Sequence, residues 1–291
     1  LWGSRFSRSS GFLRQNRQSG FKRDIVVSFG KILPKTTDAV TLKQHVFELS
    51  MSTWQHYSHI LEPVTMNWLR IAKRRGLALA AADVLGDSIS YHRFMTAVFS
   101  FAKVIQRINP ESNVGILLPT SVGSAITNMA VLTLGKTVVN LNFTASHLAL
   151  QHATTQTGMK RIFTSKKFVE KLKEREIDVV NIFQGLELIY LEDIKANMKK
   201  PQLMLTLFAA TFLPSAWLQW RYIKRVNLDE TAAILFSSGS ESLPKAIILS
   251  HRNIAANARQ VADTLNTRDN DIIMGTLPTF HAFGFLAATI M

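Results

Sequence analysis

The feature that most constrains this chain is an alternation beginning near Ser88, where short apolar, β-branched runs are separated by longer stretches with helical spacing. A strand followed by a helix and a second strand of the same direction must cross over a sheet face. Repeats of that unit build a mainly parallel sheet covered by helices, an α/β fold. The pattern predicts strands at 114–118, 137–141, 161–164, 188–191 and 232–236. Between them it predicts a helix at 121–134, with Ser121 as N-cap and Gly135 at the stop, and another at 146–157 closed by Gly158. With 291 residues, 47% of them hydrophobic, the chain can bury a packed core.

The first fifty residues differ in character. A Ser/Arg/Gly-rich stretch runs to Gly20, followed by a predicted strand at 25–29, Gly30, Pro34 and a short predicted helix at 41–49. They read as the end of one unit (1–50), joined through a polar and aromatic linker (51–63) to a second unit (64–291). The chain opens on Leu1 with no charged and apolar leader, so no secretory signal is expected and the true start is expected to be missing.

A net charge of +14 points to a polyanionic partner: nucleic acid, an anionic membrane surface or an acidic carrier protein. No helix-turn-helix, zinc finger or aromatic-and-basic strand pattern supports nucleic acid. With no cysteine, disulfides, cysteine-bound metals and thiolate nucleophiles are excluded. Basic residues gather at the start (Arg5, Arg8, Arg14, Arg17, Lys22, Arg23) and around the apolar segment 203–220 (Lys199, Lys200, Arg221, Lys224, Arg225), and the second placement favours membrane. That segment is short against the roughly 20 residues a spanning helix needs. Pro214 and Ser215 interrupt it, and Trp217 and Trp220 suit an interface. Interfacial insertion, a buried core helix and a full span all stay open.

The most informative run is Leu235-Phe236-Ser237-Ser238-Gly239-Ser240-Glu241-Ser242-Leu243-Pro244-Lys245-Ala246, followed by an apolar strand at 247–249 and then Ser250-His251-Arg252-Asn253. Small hydroxylated residues around one glycine let backbone N–H groups approach phosphate oxygens, and Lys245 adds a mobile positive charge. No glycine precedes Lys245 and no Ser or Thr follows it, so this is not a Walker P-loop. Composition alone also suits an ordinary polar hairpin loop.

This run resembles the phosphate-binding signature of the adenylate-forming superfamily, departing at Ser242 and Ala246, where the family usually has glycine. A serine at 242 bears on nucleotide binding if that position needs a positive φ or a close approach to phosphate. Downstream, Leu277-Pro278-Thr279-Phe280-His281-Ala282-Phe283-Gly284 resembles the Leu-Pro-x-Phe-His-x-Phe-Gly stretch of acyl-activating members, where the histidine lies beside the acyl and adenylate pocket. A lone histidine between phenylalanines would otherwise read as a core residue. Gly115-Ile116-Leu117-Leu118-Pro119-Thr120-Ser121, Val139-Asn140-Leu141-Asn142-Phe143-Thr144-Ala145 and Phe163-Thr164-Ser165-Lys166-Lys167-Phe168-Val169-Glu170-Lys171 resemble the synthetase half of the bacterial bifunctional 2-acylglycerophosphoethanolamine acyltransferase and acyl-acyl-carrier-protein synthetases. Leu1-Trp2-Gly3-Ser4-Arg5-Phe6-Ser7 and Val27-Ser28-Phe29-Gly30-Lys31-Ile32-Leu33-Pro34 resemble the last strands of their acyltransferase half.

The resemblance implies the N-terminal part of an AMP-binding adenylation domain, preceded by the C-terminal tail of a glycerolipid acyltransferase domain. It implies nucleotide binding by Ser237, Ser238, Gly239, Ser240, Glu241 and Lys245, a catalytic role for His281, ATP and Mg2+ as cofactors, and no protein metal ligand. A fatty acid carboxylate would attack the α-phosphate of ATP, the acyl group would pass to acyl carrier protein, and a lysophospholipid would receive it at the cytoplasmic face of a bacterial inner membrane. The partners implied are fatty acid, acyl carrier protein, lysophospholipid and a membrane surface, without nucleic acid. The chain ends before the family's ribose-binding aspartate and catalytic lysine, so neither active site is expected to be complete. A fatty-acid–CoA ligase, or an inert membrane-associated pseudoenzyme, is the alternative.

Overall fold

The structure, a computed structural model, describes residues 26–84, 86, 88–237, 243–265, 267 and 271–290. It divides into two units, residues 1–62 with 255–272, and residues 63–254 with 273–291.

In the first unit, α1 (Ala39–Ser58) opens on Asp38, whose Oδ1 accepts from the N–H groups of Val40 at 2.9 Å and Thr41 at 3.0 Å. This cap holds two of the backbone donors that a helix start leaves unmade. The helix is longer than the predicted 41–49 and runs through much of the stretch read as a linker, because no glycine or proline interrupts the sequence between its ends. The strand predicted at 25–29 is not formed at 26–29, where Val26, Val27 and Phe29 are exposed. A strand needs a neighbour to take its backbone groups, and among the described residues this unit holds none.

The second unit starts with α2 (Val64–Arg75), a two-stranded antiparallel pair β1 (Leu79–Ala82) and β2 (Ser88–Ser90), and α3 (Tyr91–Ile108). The βα series follows: β3 (Asn113–Ile116), α4 (Val122–Thr133), β4 (Thr137–Asn140), α5 (His147–Thr157), β5 (Arg161–Thr164), α6 (Lys166–Lys173), α7 (Val179–Ile182) and β6 (Glu187–Tyr190). Then come α8 (Leu191–Ala196), α9 (Lys200–Phe212), α10 (Ser215–Tyr222), β7 (Thr231–Phe236), β8 (Ala246–Ser250), α11 (His251–Leu265), which belongs to the second unit only up to Ile254, α12 (Ala282–Phe285) and a π-helical turn (Leu286–Ile290). The predicted strands and helices of this series match within two residues at either end. Ser121 caps α4 by accepting from the Ser124 N–H at 3.1 Å, and Gly158 closes α5 at φ 60°.

Six strands form one sheet in the order β6-β5-β3-β4-β7-β8, parallel throughout except for the antiparallel β7–β8 pair. Both faces are covered. On one, Val139, Leu141 and Ile162 join Leu150 and Ala153 of α5, Phe168 and Leu172 of α6 and Ile182 of α7 in one buried cluster. Side chains alternate along a strand, so the fully buried Val138 faces the other way. There α4 packs on β4 and on α3, which carries Phe94, Met95, Val98, Phe99 and Ile105 inward. Phe99 stacks on Tyr222 at 4.3 Å and meets Trp68 edge-on at 5.9 Å.

The apolar segment 203–220 is two helices, of 13 and 8 residues, broken at Leu213 and Pro214. Proline cannot continue a helix and disfavours helical backbone in the residue before it. Among the described residues no helix is long and apolar enough to cross a membrane.

Candidate functional site

The chain runs from β3 out to β4, then back across β3 to β5 and β6. That reversal is a topological switch, and in open α/β sheets ligands bind in the crevice at the carboxyl ends of the strands beside such a point. The segments leaving those ends carry the residues singled out from the sequence.

Ser237 leaves the carboxyl end of β7, and Lys245 enters β8. The Ser237 N–H donates to the Lys245 carbonyl at 3.0 Å, and the Lys245 N–H donates to Ser237 Oγ at 3.0 Å. These bonds extend the β7–β8 ladder by one rung and fix the neck of the loop. The Ser237 hydroxyl keeps its own proton for another acceptor. Lys245 is exposed, and among the described residues its ammonium has no acidic partner. An exposed lysine and a serine hydroxyl held on one bonded neck are what a phosphate-binding loop requires. Ser238, Gly239, Ser240, Glu241 and Ser242 lie outside the described residues.

After β8 the motif Ser250-His251-Arg252-Asn253 forms the start of α11. Asn253 Oδ1 accepts from Ser250 N and from Ser250 Oγ, both at 2.9 Å, and the Asn253 N–H donates to Ser250 Oγ at 3.2 Å, a reciprocal cap. Arg252 reaches both carboxylate oxygens of Asp229, at 2.7 and 2.8 Å. His251 is 1% exposed, and neither ring nitrogen has a partner. Burial holds its pKa below the usual histidine value, with Glu230 opposing. These residues therefore anchor the strand that carries Lys245.

His281 stands before α12, exposed, with its N–H donating to the Pro278 carbonyl at 3.0 Å. Its neighbour Phe280 is buried and meets Phe143, just after β4, edge-on at 5.0 Å. Thr120, after β3, donates through Oγ1 to the Leu277 carbonyl at 3.1 Å. The turn closes only with glycine at 284: a Cβ there would overlap the Pro278 carbonyl oxygen and lie 2.7 Å from that of Leu277. His281 is thus held over the carboxyl ends of β3 and β4, and Ser237 leaves the neighbouring β7 at the same end of the sheet. Nothing in the sequence alone marks Thr120 or Phe143 as a site residue. The signal for their role is that each follows a strand of one parallel sheet. Among the described residues no group of three acidic or histidine side chains converges as a metal site.

A model of the AMP-binding enzyme family matches residues 70–291, and the chain belongs to that family. It is similar to the probable 4-coumarate–CoA ligase 2 of Dictyostelium discoideum, 30% identical over 163 residues that cover 53% of this chain and 29% of the relative. It is also similar to the medium-chain fatty-acid–CoA ligase of Escherichia coli K12, 48% identical over 58 residues, 20% of this chain and 10% of the relative. Among solved structures, that of VinN is alike in fold, with a TM-score of 0.61 at 15% identity over 79% of this chain and 57% of that one. The chain spans about 30% of the length of the first curated relatives it matches. The α/β fold is that of the N-terminal part of an adenylate-forming domain.

Proposed function

We propose that this protein takes part in activating a long-chain fatty acid: the carboxylate attacks the α-phosphate of ATP, giving acyl-adenylate and pyrophosphate. The observation that carries the reading is the neck at the carboxyl end of β7, where Ser237 Oγ accepts from the Lys245 backbone N–H and the Lys245 side chain is exposed without an acidic partner among the described residues. Charge builds on the departing pyrophosphate, and a preorganised cation and hydroxyl donors stabilise it without covalent help. Mg2+ would arrive with the nucleotide and neutralise the same oxygens. Membership of the AMP-binding family and similarity to a relative named as a fatty-acid–CoA ligase support the reading. The exposed His281 is assigned to the acyl side of the site.

The acyl group then passes to a thiol. The resemblance in the synthetase and acyltransferase runs favours acyl carrier protein, reacylation of a lysophospholipid and a place at the cytoplasmic face of a bacterial inner membrane, with residues 1–50 as an acyltransferase tail. The names of the relatives favour coenzyme A as the acceptor instead. One experiment separates the two. The longest natural chain containing these residues is given ATP, Mg2+ and a long-chain fatty acid, with acyl carrier protein or coenzyme A. Thioester formed on acyl carrier protein alone supports the first acceptor, and thioester on coenzyme A alone supports the second. No fatty-acid-dependent pyrophosphate release would overturn the activation itself.

A further inference from the structure

Helices α9 and α10 present an apolar surface that the second unit leaves uncovered. In α9 the buried residues Thr206, Ala209 and Ala210 share one side, while Met204, Leu205, Phe208 and Phe212, 56–71% exposed, share another. A helix that had only to pack on this unit would carry polar residues on that outer side. Phe208 and Phe212 lie 5.0 Å apart. Beyond Pro214 the pattern continues: α10 buries Leu218 and exposes Trp220, 77%, and Trp217, 37%, with their rings 6.4 Å apart. Seven large apolar side chains, counting Leu207, lie exposed along one short stretch of chain, as interaction surfaces do.

Charge identifies the partner. Between Asp193 and Asp229 there is no acidic residue, while Lys195, Lys199, Lys200, Arg221, Lys224 and Arg225 stand there, the last five at the two ends of the apolar helices and all exposed. Lys103 leans on Tyr222 at 5.2 Å, beside Arg221 at 5.3 Å from the same ring, adding a cation near the α10 end. Apolar side chains and tryptophans bracketed by cations match the acyl boundary and head groups of an anionic bilayer. The α9 backbone is prepared for a drier setting as well: Lys73 Nζ donates to the Ala210 and Thr211 carbonyls at 3.0 and 2.9 Å, meeting helix-end acceptors that water otherwise serves.

We propose that α9 and α10 are a docking face for an anionic lipid bilayer, lying in its surface with Met204, Leu205, Phe208, Phe212 and Trp220 inserted and the flanking lysines and arginines on head-group phosphates. The inference deepens the membrane partnership of the proposed function. It fails separately from that reading, because the test reads lipid binding alone and leaves Ser237 and Lys245 untouched.

The test is co-sedimentation of the 291-residue chain with vesicles of phosphatidylglycerol and phosphatidylcholine, against phosphatidylcholine alone, at low and high salt. The variants are F208S/W220S and K199Q/K200Q, both at exposed positions, with folding checked by circular dichroism. Wild type is expected to pellet with anionic vesicles, to bind neutral ones at least tenfold more weakly, and to be weakened by salt without full release. F208S/W220S should lose at least tenfold, and K199Q/K200Q should lose mainly the preference for anionic lipid. Wild type left in the supernatant with anionic vesicles at low salt overturns the proposal. So does equal binding by F208S/W220S, which would make the contact purely electrostatic. A self-associated form that ignores vesicles, or binding of acidic acyl carrier protein without vesicle binding, would assign the face to a protein partner and overturn it too.

Discussion

Ser237 and Lys245 hold each other by two bonds of opposite sense, Ser237 N–H to Lys245 carbonyl and Lys245 N–H to Ser237 Oγ, each 3.0 Å long. The lysine is thereby positioned through its backbone, and among the described residues its ammonium has no acidic partner.

Lys245→Ala is therefore expected to spare stability and damage chemistry. Fatty-acid-dependent pyrophosphate release, measured on the longest natural chain containing these residues, should fall about 10²-fold or more. Stability should stay within about 0.5 kcal/mol in a thermal melt. Unchanged release would reduce the loop to a turn.

Gly284→Ala has the opposite profile. The added methyl has no room against the Pro278 and Leu277 carbonyls, so the turn bearing His281 must open. A loss of about 1–3 kcal/mol is expected on urea unfolding, together with weakened acyl binding. A variant as stable as wild type would show that the turn has another closed form.

Asn128 and Asn140 make a buried polar pair between α4 and β4. Asn140 Nδ2 donates to Asn128 Oδ1 at 2.9 Å, and Asn128 Nδ2 donates to the Ser124 carbonyl at 2.9 Å. Asn128→Ala strands the Asn140 amide and should cost about 1–3 kcal/mol, whereas changing both residues to Leu should cost less, because no buried donor is then left unmade. Denaturant midpoints decide it. A double variant less stable than the single one would contradict the account.

His251 gives a pH dependence with a definite sign. Its folded pKa lies below the ordinary 6.5 because burial disfavours the charged ring. The stability tied to that neutral ring is complete above the unfolded pKa and is lost as pH falls below it toward the folded value. The melting temperature should drop as pH falls below about 6.5. His251→Leu should flatten the slope. Part of it should remain, because burial and Lys73 hold His92 low as well. A slope unchanged by His251→Leu would mean that another group titrates.

The βα alternation was legible because the central strands β3, β4 and β5 are apolar and largely buried, and α4 and α5 carry their own caps. Ser121 and Gly158 sit where cap chemistry put them, and Ser146, read as the first helical residue, is the N-cap of α5. The strand expected at 25–29 was not legible, because β-branched composition speaks to a strand's preference and not to the presence of a neighbour. The segment 203–220 read as uniformly apolar, yet it splits into a buried and an exposed side, since hydropathy cannot tell which side faces a core. At the site, the runs carrying Ser237, Lys245 and His281 could be picked out from the sequence, but not the placing of His281 before α12. The reciprocal neck bonds, and the wall of Thr120 and Phe143 beneath the His281 turn, required the sheet order.

That order also shapes how the chain is made. Strand β4 lies between β3 and β7, but β7 begins only at Thr231, so the far edge of β4 waits while residues 141–230 are synthesised. At about 5–20 residues per second the wait is on the order of 10 s. Throughout it, Val138 and Val139 stand on an open edge able to pair with another nascent chain. Yield of soluble protein should accordingly track translation rate and chaperone supply more closely than it tracks the stability of the finished sheet.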